Sequence, residues 1–370
     1  MYLTCIGDST NIATWSNTPY FLLRAGIASG LLESGLPLKP ELLSKRKFLW
    51  NLTRPLYGLK PGGFQYTSLF ADKLLAQACL PVDAKLLSLH PMLPSTPWPE
   101  TWHVSYYIDM TTKQTFDFYK IGRNFSKSVI RRALEQERSA FQSAKAVICM
   151  CGWAADSVIG DYGTDPSKVH VVPGGANLDE AQLAQLPPAA LPPPPSAQQP
   201  LRLGFLGKEW HRKGGPFLLE LADALRQRGI PTVIRAIGPD PAALPAHPAL
   251  QPLGFINKQT DTPRFVAELQ RWHFGTLFSE AEAAPRSNLE CLRLGVPVLA
   301  HAVGGIASTL PDAGCGQLFA PHPGAAEVAD WIAARLTPYE GYLAWRAALA
   351  LRWREFTWAA AVEQLAAILG

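Results

Sequence analysis

This sequence predicts two α/β domains, each built on a parallel sheet with helices covering both faces. Three observations carry that expectation. Short apolar runs alternate with amphipathic stretches along most of the chain, the pattern of parallel strands joined by helical crossovers. A Pro-rich segment, residues 186–200, separates two halves of comparable size that follow the same grammar. The chain has 370 residues, enough for two cores at about 150 residues per domain.

In the first half, residues 2–6 read as a short strand followed by a polar loop, 7–18. Pro19 suits the first turn of a helix that runs to about Leu32. The apolar runs 85–89, 102–107, 146–150 and 169–172 read as buried strands, with helices over 64–78 and 125–143. The Pro-rich segment favours extended polyproline II and reads as a semi-rigid linker or a long surface loop. In the second half, 201–206 is a strand, 207–215 a Gly/Lys loop, and 217–228 an amphipathic helix stopped by Gly229. Strands at 232–237, 274–278 and 297–300 follow, with a turn at Gly238-Pro239 and a helix over 288–294. Two such sheets imply a cleft between their carboxyl ends, where these folds bind ligands.

Composition excludes several classes. Hydrophobic residues make up 48% and charged residues 17%, which argues against a disordered chain. The net charge of +4 is too weak a bias to imply nucleic-acid binding. No run of about 18 apolar residues predicts a spanning helix. The start, MYLTCIGDST, has neither a basic region nor a long apolar stretch, so no signal peptide is expected and the chain is expected in the cytoplasm. Cys5, Cys79, Cys149, Cys151, Cys291 and Cys315 form no CxxC pair and no zinc spacing, and are expected as buried free thiols. No dinucleotide Gly fingerprint follows Ile6 or Leu206, which excludes a dehydrogenase reading.

Three constellations carry chemistry. Glu282 and Glu290 are separated by seven residues. Glu282 falls in the loop after a strand, and Glu290 in what reads as the first turn of the next helix. Carboxylates there can accept hydrogen bonds from sugar or ribose hydroxyls, and the helix amides can hold an anion. The alternative is a solvated loop Glu with a first-turn Glu complementing the helix dipole. The loop from Gly207 to Gly215 carries Lys208, Arg212 and Lys213, which can neutralise phosphate or form a basic surface turn. It is not a P-loop. The pair Gly304-Gly305 follows the strand 297–300 and is either a plain turn or a loop presenting amides to an anion.

In order and spacing, these motifs resemble those of the retaining GT-B glycosyltransferases of family 4 (glycosyl transferases group 1). Glu282 and Glu290 match the two-glutamate motif, with Ser279 three residues ahead. Lys208 and Lys213 match the basic pair of the Gly-Arg/Lys loop, and Gly295-Val296-Pro297-Val298 matches the Gly-x-Pro-Val strand entry. Trp15-Ser16-Asn17-Thr18-Pro19-Tyr20 resembles the family's first loop, with Asn17 where Gly is common. Phe356-Thr357-Trp358 resembles the start of its final helix. Ala283-Ala284-Pro285 stands where the family usually has Gly-Phe-Gly or Pro-Phe-Gly, and Ala307-Ser308 where Pro-Glu is frequent.

The resemblance implies a GT-B fold: two Rossmann-like domains with parallel sheets facing across a cleft. The first, acceptor-binding domain would span 1–178 and be completed by the C-terminal helix, 355–370. A linker, 179–200, would lead to the donor-binding domain, 201–354. The implied activity is a metal-independent, retaining transfer (a hexosyltransferase) from a nucleotide-sugar to a saccharide or lipid-linked saccharide acceptor. Glu282 would contact the donor sugar, and Lys208 and Lys213 the pyrophosphate. Glu290 would hold the ribose, with Gly207, Arg212, Ile256, Ser287, Asn288, Leu289, Gly304 and Gly305 completing the donor site. His90, Asp109, Asn17 and Thr18 would face acceptor or sugar. No cofactor or metal is expected. The alternatives are a GT-B sugar-nucleotide epimerase or phosphorylase-like enzyme, and a non-catalytic sugar-nucleotide-binding subunit.

A further stretch, Lys45-Arg46-Lys47-Phe48-Leu49-Trp50 through Arg54, Tyr57 and Lys60, mixes basic and aromatic residues. It reads as a solvated basic face with a buried aromatic stripe. Peripheral contact with an anionic membrane, or with a polyanionic acceptor, is the other reading.

Overall fold

The computed structural model describes residues 1–187 and 190–370. Met1–Pro173 and Trp358–Gly370 form one compact unit, and Gly174–Thr357 a second. Both are Rossmann-like.

The first unit holds β1 (Tyr2–Thr4), β2 (Ser34–Gly35), β3 (Lys85–Ser88), β4 (His103–Ile108), β5 (Val147–Cys149) and β6 (Val169–Val171), paired in parallel in the order β2-β1-β3-β4-β5-β6. Its helices are α1 (Thr18–Ala28), α2 (Ser44–Thr53), α3 (Ser68–Leu75), α4 (Thr112–Phe118), α5 (Lys127–Ser143) and α6 (Gly152–Gly160). The second unit begins with the short α7 (Glu180–Leu183). Its strands are β7 (Leu201–Leu206), β8 (Thr232–Ile237), β9 (Leu250–Gly254), β10 (Phe274–Leu277), β11 (Val298–His301) and β12 (Gly316–Phe319), again all parallel, in the order β12-β11-β10-β7-β8-β9. Its further helices are α8 (Gly215–Gln227), α9 (Thr262–Gln270), α10 (Arg286–Arg293), α11 (Ala325–Arg335) and α12 (Tyr339–Leu351). The last helix, α13 (Trp358–Leu369), packs on α1 and so belongs to the first unit.

Burial explains the pattern. On β11, Val298 and Ala300 enter one core cluster and Leu299 the other, so both faces of the sheet are dry. α8 buries Leu218, Leu221, Ala222 and Leu225, one stripe of a 3.6-residue repeat. Gly204 on β7 is required by packing: a Cβ there would lie 1.8 Å from the ring of Trp272, a fully buried side chain.

The elements differ from the expectation where short-range signals compete. The helix anticipated over 64–78 is a 3₁₀ turn, Phe64–Tyr66, followed by α3. Thr67 breaks it, its side chain accepting from the Phe70 amide as an N-cap. α10 begins at Arg286, so Glu290 sits in its second turn and does not complement the first-turn dipole. The Cys79 thiol is exposed, whereas the other five are buried.

The Pro-rich segment is anchored where it is described; Pro188 and Ala189 lie outside the described residues. The Tyr339 hydroxyl donates to the Pro192 carbonyl at 2.6 Å. His273 lies 3.0 Å from the Pro193 carbonyl through Nε2, and its Nδ1 accepts from the Arg202 amide at 3.0 Å. That acceptor role requires a neutral ring with the proton on Nε2. Burial pushes the His273 pKa down to about 4, against a partial upward pull from Pro193.

Because the unfolded ring titrates near 6.5, the unfolded state binds the extra proton between roughly pH 6.5 and 4. The stabilisation is fully present above that window and is lost as pH falls through it. Between pH 7 and pH 5, the urea stability of the native chain should fall by about 2 kcal/mol more than that of His273→Gln. Equal pH slopes in the two proteins would remove the buried neutral histidine from the account.

Candidate functional site

In an open parallel sheet, loops diverge where the strand order reverses, and that divergence leaves room for a ligand. In the second unit this point lies between β7 and β10. The loop after β7 carries Lys208 to Gly214, and the loop after β10 carries Ser279 to Pro285. The two charged motifs therefore meet because of topology, although some seventy residues separate them.

Their meeting point is Glu282, only 7% exposed. Its Oε1 accepts from Lys213 Nζ at 2.6 Å and from Arg212 Nη1 at 3.0 Å, with Ser279 Oγ 3.3 Å away. Main-chain contacts join the loops as well: the Arg212 carbonyl accepts from Ser279 Oγ at 2.9 Å and from the Glu280 amide at 2.8 Å. Burial works against the Arg212 charge, but Glu209 and Glu282 outweigh it and raise its pKa above the ordinary guanidinium value. Two glycines make the approach feasible. A Cβ at Gly207 would lie 2.2 Å from Lys213 Cδ. Gly214 has φ +82°, and a Cβ there would lie 2.2 Å from the Phe278 carbonyl oxygen.

The third motif joins the same loop. The Gly305 amide donates to the Glu282 carbonyl at 3.0 Å, and Gly304 turns the chain with φ +56°. Beneath it His301, buried at the end of β11, sits 2.7 Å from the Ser279 carbonyl through Nε2, while Nδ1 accepts from the His322 amide at 3.1 Å. Burial lowers its pKa, and the hydrogen-bond pattern holds the neutral ring.

Glu290 is 3% exposed and accepts from Lys258 Nζ through Oε1. At the start of α10, Ser287 Oγ is buried with no hydrogen-bond partner among the described residues. Asn288 Nδ2 donates to Thr309 Oγ1 at 2.9 Å, and Leu289 and Ile256 are core side chains, so only their main-chain groups can meet a ligand. Lys208 is exposed, with its ammonium 5.3 Å from the centroid of Phe255. Thus Arg212, rather than Lys208, shares Glu282 with Lys213. Lys258 and His301 were not singled out from sequence, since each lies outside a recognisable motif.

The first unit reverses its order between β1 and β3. The loop after β1 ends in Trp15, Ser16 and Asn17 with φ of 40°, 55° and 70°. Three successive left-handed residues that are not glycine store strain. Asn is the best tolerated of them, which explains Asn17 where Gly is common. Its Nδ2 donates to the Ile12 carbonyl, and Thr18 is buried at the start of α1. His90 follows β3; its Nδ1 accepts from the Met92 amide at 3.3 Å, and burial pushes its pKa down to about 4. Asp109 follows β4, and its carbonyl accepts from the Cys151 thiol at 3.4 Å. Among the described residues, no group of three or more His, Cys, Asp or Glu side chains could hold a metal ion.

The buried contact has a measurable signature. In a double-mutant cycle, Lys213→Met and Glu282→Gln should couple by at least about 1 kcal/mol in urea stability, because either change alone strands the other group. Additive effects would mean that the pair is not formed in solution.

The fold resembles those of several solved structures. Sucrose-phosphate synthase from Thermosynechococcus elongatus matches with a TM-score of 0.64 at 15% identity, over 99% of this chain and 97% of that one. WaaG, a glycosyltransferase involved in lipopolysaccharide biosynthesis, matches at 0.57 and 18% identity over 81% of each chain. HepE from Anabaena, in complex with UDP-glucose, matches at 0.54 and 16% identity over 81% of each. No protein-family model matches the chain, and no curated protein does. At these identities the likeness is one of fold: two Rossmann-like α/β domains, each with a parallel sheet, as in GT-B proteins.

Proposed function

We propose that the chain is a GT-B glycosyltransferase that moves a sugar, with retention, from a nucleotide-sugar donor to a saccharide or lipid-linked saccharide acceptor. The observation that carries this reading is the meeting of Lys213, Arg212, Glu282 and the Gly304-Gly305 loop at the switch point of the second sheet. HepE, a structure of similar fold, is described in complex with UDP-glucose, and WaaG as a glycosyltransferase.

The chemistry follows from charge. Breaking the bond between the sugar and the diphosphate builds positive charge on the sugar and negative charge on the departing phosphate. Lys213, helped by Lys208, stabilises the phosphate, and the Gly304 amide adds a fixed dipole, while Gly207 and Gly305, whose amides are engaged by Ile237 and Glu282, let the backbone come close. With these cations in place, the leaving group needs no metal. Glu282 accepts from sugar hydroxyls, and its partner Arg212 holds the carboxylate in place. Glu290 accepts from the ribose hydroxyls. Lys258 occupies Glu290 in the free protein, so the ribose must replace that ammonium or share the carboxylate with it. Ser287, Asn288, Leu289 and Ile256 frame the nucleotide with main-chain groups and, for Ser287, a hydroxyl. In the first domain, His90, Asp109, Asn17 and Thr18 receive the acceptor.

A non-catalytic sugar-nucleotide binder is the second reading. It is favoured by Pro285 as the N-cap of α10, which offers no amide where the family has Gly.

The test is nucleoside diphosphate release from a panel of UDP-, GDP- and ADP-sugars in EDTA. One donor should turn over, and Glu290→Ala should lower its release by at least about a hundredfold. Binding without release would favour the second reading. Release unchanged in Glu290→Ala would overturn the site assignment.

A further inference from the structure

The strongest unassigned feature lies on the first unit, around α2. This helix has no buried residue. Its inward edge is fixed by polar contacts: Trp50 Nε1 donates to the Gly62 carbonyl at 2.9 Å, and Asn51 Oδ1 accepts from the Gly62 amide at 2.8 Å. Arg54 lies over the Trp50 ring and donates to Ser126. Its outward face carries Phe48, Leu49 and Leu52, and Leu42, Leu56 and Tyr57 flank the helix. All six are between 57% and 80% exposed. The aromatic stripe expected to be buried is therefore open, with Trp50 as its half-buried exception.

Within the stretch 42–60 charge has one sign. Between Glu41 and Asp72 the chain carries Lys45, Arg46, Lys47, Arg54 and Lys60 and no acidic residue. Lys60 donates to the Arg123 carbonyl at 2.8 Å, which brings another basic residue alongside. Scattered exposed leucines are ordinary, but six large apolar side chains in sixteen residues are not. An apolar helix face ringed by long basic side chains lets the apolar groups enter acyl chains while the cations reach lipid phosphates. A second copy of the chain is a poor occupant, because a two-fold contact would set Lys45, Arg46 and Lys47 against their own images.

We propose that the face formed by 42–60 docks the protein on an anionic lipid bilayer. The docking is peripheral: no helix among the described residues is long and apolar enough to cross a membrane. The proposal rests on the surface of the first unit alone, so a failed donor assay would leave it standing.

The test is co-flotation of the full chain with vesicles of equal phosphatidylglycerol and phosphatidylcholine, beside vesicles of phosphatidylcholine alone. The chain should float with the first and not the second, and added salt should release it. Phe48→Ser/Leu52→Ser/Leu56→Ser and Lys45→Glu/Lys47→Glu should each reduce the bound fraction at least about fivefold. Their thermal midpoints and donor turnover should stay at the wild-type values. No flotation with the anionic vesicles, equal flotation with both kinds, or undiminished flotation of both variants would overturn the proposal. Self-association, or capture of polyglutamate, without flotation would also overturn it, in favour of a second copy or an acidic protein. The comparison of the two vesicle types uses the native chain, so it decides even if a variant fails to fold.

Discussion

A carboxylate that is nearly buried must be paired, and the loops of the second domain are arranged around that requirement. Glu282 meets it through Lys213 and Arg212, and Ser279 holds the Arg212 main chain beside it. Each partner comes at a structural cost that another residue removes. Lys213 needs the space a side chain at Gly207 would fill, and Gly214 must pass close under the Phe278 carbonyl. Ser279 is itself fixed by the neutral His301 beneath its carbonyl. Three loops from different strands are thereby held to one point. An isolated ion pair in water would contribute little; at this depth the loss of either partner strands a charge.

The parallel sheets explain why the point lies where it does. Reversal of strand order between β7 and β10 sends consecutive crossovers to opposite faces, and the loops between them part. The same reversal between β1 and β3 frames the left-handed run Trp15-Ser16-Asn17 and His90 in the first unit. Strain in that run, and the buried ionic contacts of the second unit, are features that stability alone would not select.

Much of this was legible in the sequence, and the reasons differ by element. β7 and β8 match their expected bounds because both are interior strands and mostly apolar. The strands that went unread, β2, β9 and β12, are all sheet edges. An edge strand pairs on one side only, so β9 tolerates Pro252 and β2 needs only two residues. The start of α10 was placed late because Pro285 and Arg286 look like loop, yet Pro285 is its N-cap. The two glutamates were visible as a spaced pair. Their pairings were not: Arg212 and Lys258 reach them through side-chain geometry that spacing does not record. The exposure of α2 was equally hidden, since an apolar-basic run reads the same whether its apolar face is packed or bare.

The central claim is that the second-domain loops form a site for a nucleoside diphosphate. A crystal structure of the chain grown with UDP tests it most directly. The account predicts the diphosphate against Lys213 and the Gly304 amide, the ribose on Glu290, and the Lys258 ammonium displaced from or sharing that carboxylate. A nucleotide bound elsewhere, with the Lys258 contact to Glu290 unchanged, would contradict it.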